Sequence, residues 1–179
     1  DLAGPLATGA QTILVQAQRA SQVARHLAEA AAPQPSELDW VDVNALLRRV
    51  VQLMGYDRRY RTFGFELQAD AQLPAVRSSA HAIQQVLMQI LSMGCDAMVV
   101  AAQTPAWVQL ATAPKAEGIE VSLRFPPVLD FSRSDVQRSL LLCRAIVEPL
   151  GARLAFGQVE GPYLRITLTL PSDRGDEQG

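Results

Sequence analysis

Hydrophobic positions along this chain follow two periods, one of three to four residues and one of two. The strongest run lies between Ser78 and Met98, where apolar or small residues recur at Ile83, Val86, Leu87, Ile90, Leu91, Gly94, Ala97 and Met98. That spacing marks the buried face of a helix about five turns long. Ser78 or Ser79 is placed to cap its start by accepting orphan N–H groups. A second face of the same helix carries Gln89, Met93 and Asp96, which stand at i, i+4 and i+7. Upstream, Gln11 to Ala32 reads as a helix after a loop over residues 1 to 10. Its Ile13, Ala17, Ala20, Ala24, Leu27 and Ala31 step by 4, 3, 4, 3 and 4, a heptad seam suited to packing against another helix. Pro33-Gln34-Pro35-Ser36 ends that helix and serves as a linker. An amphipathic helix then runs from Ala45 to Gly55. Asp42 is its expected N-cap, Leu46, Val50, Leu53 and Met54 its buried residues, and Gly55 its stop.

Alternation of apolar and polar residues marks strands at Phe63 to Gln68, Trp107 to Ala111, Ile119 to Phe125 and Tyr163 to Leu170, with a shorter one at Leu154 to Gln158. A period of two with one apolar side means a sheet covered on one face. The expected fold is therefore α/β, an α+β two-layer sandwich whose antiparallel or mixed sheet has helices on one side, preceded by a bundle or coiled-coil helix. Three spans follow: 1–35, a helical segment and linker; 36–172, the globular domain; and 173–179, a polar tail expected to fray.

Composition narrows the possible chemistry. With 179 residues, 49% of them hydrophobic, the chain is long and apolar enough for a full domain with a sizeable core. A formal net charge of −2 gives no case for nucleic acid or an anionic membrane. No run of eighteen apolar residues stands out as a membrane span, and no signal peptide is visible. Cys95 and Cys143 each sit in an apolar helical run and read as buried thiols in a reducing, cytoplasmic compartment. No spacing of cysteines and histidines supports a metal site. Arg58, Arg59 and Arg61 form a basic cluster, either a solvated loop or a contact for an acidic partner.

Gln85 to Met98 reads Q-V-L-M-Q-I-L-S-M-G-C-D-A-M. It resembles the N-box helix of the ATP-binding domain of sensor histidine kinases, whose pattern is roughly Q-V-L-x-N-L-x-x-N-A-x-D-A-M. Further matches keep the same order. Leu38 to Asn44 resembles the domain's entry, which implies a short strand feeding a helix. Leu140 to Glu148 resembles G-L-x-x-x-R-x-I-V-E, and Leu150-Gly151-Ala152-Arg153-Leu154 resembles the x-G-G-x-L turn. Gln11 to Ala32 resembles the second helix of the dimerisation and phosphotransfer hairpin. Asp1-Leu2-Ala3-Gly4-Pro5-Leu6 matches the tail of H-[ED]-L-x-x-P-L, with the histidine falling before residue 1, or else it is an inter-helix loop. His26 is the other candidate phosphoacceptor, though its proline, Pro33, comes seven residues later.

The positions that this resemblance gives to nucleotide chemistry are altered. The two asparagines of the N-box are Gln89 and Met93, while Asp96 keeps the ending. In the family the second asparagine holds the magnesium ion, a hard cation that takes oxygen ligands. A soft thioether is no substitute. The D-x-G-x-G motif that reads adenine is replaced by Phe125-Pro126-Pro127-Val128, and Asp130 is out of register. The glycine-rich lid falls on Val136 to Leu140, with Gln137 and Ser139 in place of its glycines. The resemblance therefore implies a degenerate histidine kinase: no catalytic residue except His26 as a weak candidate, no metal and no ATP cofactor. It implies a homodimer through the N-terminal helix and a response-regulator receiver domain or partner kinase as partner. The alternatives are a working kinase or ATP-independent phosphotransferase whose histidine lies upstream, and an interaction domain outside two-component signalling.

Overall fold

Asp42 opens the first helix, α1 (Val43–Tyr56), by accepting a hydrogen bond from the Ala45 N–H at 2.9 Å. The structure is a computed structural model that describes residues 38–103, 105–160 and 163–172. All of these belong to one compact unit, Glu37–Gly179. The expected helix over 11–32 with its seam, His26, and the tail over 173–179 lie outside the described residues. Val43, Leu46, Leu47, Val50 and Met54 of α1 are buried as their spacing requires, but Leu53 is 36% exposed and stands off that face. Gly55 does not end the helix. Asp57 does, in an extended conformation, and its carboxylate caps a single 3₁₀ turn over Arg58–Tyr60.

Strand β1 (Asp39–Val41) pairs antiparallel with β3 (Val76–Ser78) as a separate two-stranded ribbon. The second helix, α2 (Ala80–Val100), is capped by Ser79, whose hydroxyl accepts from the Ala82 N–H at 3.3 Å. Ser78 is part of β3 and buried. At 21 residues α2 is long and apolar enough to cross a membrane by length and composition. Here Ile83, Val86, Leu87, Ile90, Leu91 and Met98 are instead buried in the core of the domain, each contributing about 1.5–3 kcal/mol of burial.

The main sheet has the order β2-β4-β5-β7-β6, from β2 (Gly64–Gln68), β4 (Trp107–Lys115), β5 (Gly118–Phe125), β6 (Arg153–Glu160) and β7 (Tyr163–Pro171). Only the β2–β4 pair is parallel, because α2 carries the chain across between them. The inward positions Val108, Leu110, Val121, Leu123, Ile166 and Leu168 are fully buried. The opposite face carries a polar row in register, Glu66, Gln109, Arg124 and Arg165. Its members are joined by Gln109 donating to Glu66 and Arg124 donating to Gln109, both at 3.3 Å. Helix α3 (Ser134–Val147) packs against α2 and ends in a 3₁₀ turn, Glu148–Leu150. Gly151 then takes φ +71, where a side chain is disfavoured.

Candidate functional site

The altered positions gather where α2, the end of β5 and the start of α3 meet. Gln89 on α2 is half-buried, and its amide Nε2 donates to the Ser139 hydroxyl on α3 at 3.4 Å. Two of the substituted positions thus touch each other across the helix pair. Met93 is also half-buried and packs against the apolar core. Gln137 is exposed on the first turns of α3.

One residue beyond Met93, Gly94 faces the ring of Phe125, the last residue of β5. A Cβ at position 94 would lie 2.9 Å from Phe125 Cε1 and 3.0 Å from Cδ1, closer than carbon atoms pack. The glycine is therefore what lets a wholly buried phenyl ring lie against the helix. The eight residues from Pro126 to Arg133 connect β5 to α3. Leu129 inserts into the core, and Asp130 forms a tight turn by accepting from the N–H and hydroxyl of Ser132 at 2.9 and 2.6 Å. The Ser132 hydroxyl bond holds the Asp130 carboxyl below its usual range. Phe131 stacks on Phe156 at 5.8 Å, and the Arg144 guanidinium lies 4.5 Å over that same Phe156 ring.

Asp96 is engaged by groups that the periodicity did not reveal. Its Oδ1 accepts from the Tyr60 hydroxyl at 2.6 Å and pairs with Arg59 Nη1 at 2.8 Å. Arg59 also grips Asp57 with Nε and Nη2, and lies 4.8 Å over the Tyr60 ring. The Arg59 bond holds the Asp57 carboxyl below its usual range, and burial raises the Tyr60 phenol well above its own. Burial likewise pushes both thiols, Cys95 and Cys143, up to about 12. Only the arginine cluster after α1 hinted at this fastening, and sequence spacing alone does not pair residue 59 with residue 96.

In donor chemistry, the position that the resemblance gives to the magnesium ligand offers a thioether. The stretch that it gives to the adenine-reading motif, Phe125 to Val128, offers no carboxylate. Neither fits a magnesium nucleotide. Among the described residues no group of three or more His, Cys, Asp or Glu side chains gathers to hold an ion.

No protein-family model matches the chain. The C4-dicarboxylate transport sensor protein DctS of Rhodobacter capsulatus is 26% identical over 170 residues, or 87% of this chain. The chain spans only 26% of the length of that relative. The catalytic domain of histidine kinase ThkA superposes with a TM-score of 0.63 at 19% identity, covering 76% of this chain and 97% of that one. The fold is that of a histidine-kinase catalytic domain. Two larger structures extend the likeness of this histidine-kinase fold. Acinetobacter baumannii histidine kinase AdeS gives a TM-score of 0.65 at 15% identity, over 92% of this chain and 84% of its own. ThkA in complex with the response regulator protein TrrA gives 0.70 at 17% identity, over 96% and 53%. At these identities the shared property is the fold.

Proposed function

We propose that this chain is a histidine-kinase-like signalling module that keeps the kinase scaffold without using Mg-ATP. The observation that carries this reading is the Phe125 ring, fully buried against Gly94 in the stretch, Phe125 to Val128, given to the adenine-reading motif. Met93 in place of the magnesium ligand and the Gln89–Ser139 bond support it from the other side of the site. The module works as a dimer through the seam Ile13, Ala17, Ala20, Ala24, Leu27 and Ala31, and it binds a response-regulator receiver domain or a partner kinase in a two-component or phosphorelay pathway. The ThkA–TrrA complex, in which a protein of this fold is bound to a response regulator, supports that choice of partner. Calorimetric titration of the full chain with Mg-ATP tests the reading. No heat of binding is expected up to millimolar nucleotide, and micromolar affinity defeats it.

A further inference from the structure

Five arginines lie within residues 48–61, Arg48, Arg49, Arg58, Arg59 and Arg61, with Asp57 as the sole acidic residue among them. They do unequal work. Arg59 is spent on structure: its guanidinium holds Asp57 beside it and Asp96 on α2, and covers the Tyr60 ring. The other four are exposed, and none has an ion-pair partner among the described residues. Arg48 and Arg49 share the outer side of α1 with Tyr56, which is 70% exposed and accepts a hydrogen bond from Gln52 Nε2 at 3.3 Å. Arg58 and Arg61 flank the fastened residues of the turn that follows. The result is four arginines and an aromatic side chain exposed along α1 and the turn after it, the turn being held to α2 by Asp96 through Arg59 and Tyr60.

From this we infer that the outer side of α1 and the turn Asp57–Arg61 form a docking surface for a carboxylate-rich protein segment carrying an apolar side chain. Guanidinium groups match carboxylates two bonds at a time, and fixing the backbone that bears them lowers the ordering cost of binding. Arginine and tyrosine are also the residues that anchor protein interfaces. The positive charge is local, since the chain as a whole carries −2. A long polyanion such as DNA meets that overall field, whereas a short acidic segment meets only these arginines. This inference stands apart from the nucleotide reading, because none of its residues belongs to the altered site except Asp96, which acts here as a fastener.

The test uses the full chain and a fluorescent peptide with glutamates at i and i+4 around one leucine, read by polarisation at two salt concentrations. Arg58→Glu with Arg61→Glu is expected to weaken binding about tenfold or more, while Arg138→Glu on α3 leaves it unchanged. Asp96→Ala separates a built surface from general positive charge. It makes the region more basic yet releases the turn, so a docking surface predicts weaker binding. Equal or tighter binding by Asp96→Ala, with the fold intact by circular dichroism, overturns the inference. So does tighter binding of a 20-base-pair DNA duplex or of phosphatidylserine vesicles than of the peptide.

Discussion

Replacing Gly94 by alanine gives two opposing effects whose balance tests the packing at the centre of the site. In a helix interior the change favours folding by about 1 kcal/mol, because glycine has more freedom to lose. Against it stands the approach of Phe125, with ring carbons 2.9 and 3.0 Å from the added methyl. The ring is fully buried and has no solvent to swing into, so the neighbours must shift at a cost of about 1–3 kcal/mol. The expected net effect is neutrality to a loss of about 2 kcal/mol, by difference of those two figures. The Phe125→Leu background removes the aromatic carbons that clash, and there Gly94→Ala should recover its favourable sign. Urea denaturation of the four proteins in the cycle measures this, with a coupling energy of about 1–3 kcal/mol expected. A Gly94→Ala protein stabilised by the full helix increment with Phe125 present, or a coupling near zero, would refute the contact.

Thr112 holds a buried link in which its hydroxyl donates to Asn44 Oδ1 at 2.8 Å and accepts from the Asp70 N–H at 3.0 Å. Thr112→Val keeps the shape but strands both partners, for a loss of about 1–3 kcal/mol, and Thr112→Ser should lose less; equal stability of the valine variant would count against the link. For pH, the folded-state thiols of Cys95 and Cys143 are pushed up to about 12, above the value of about 8.5 for an unfolded chain. A raised value means stability that is complete below that lower value and is eroded as pH climbs toward the higher one, so the urea midpoint should hold to about pH 8 and fall from about pH 9, less steeply in a Cys95→Ala, Cys143→Ala protein.

Much of this fold was legible because its longest helix repeats its apolar positions over five turns. Ile83, Val86, Leu87, Ile90 and Leu91 fall on one face by spacing alone, and all five are buried. The cap of that helix is Ser79, one of two serines equally good in sequence, because β3 pairing takes Ser78 away. Three-residue β3 is too short to show a period. Leu53 was misplaced because α1 turns its narrow apolar stripe through Leu46, Leu47, Val50 and Met54. At the site, Gln89, Met93 and Phe125 were visible as departures from a pattern. The contacts that these elements make were not, because Gly94 with Phe125, Gln89 with Ser139 and Arg59 with Asp96 are pairs far apart in sequence.

The two outer strands of the main sheet bear on how such a chain meets its own kind. At one side β2 offers only five residues, with Glu66 and Gln68 exposed on it. At the other, β6 is broken by a bulge between Ala155 and Gln158, with Gly157 at φ +84. Short, charged or bulged edges are poor templates for an added strand. Growth of the sheet from copy to copy, the usual first step toward fibrils, is thus discouraged at both ends.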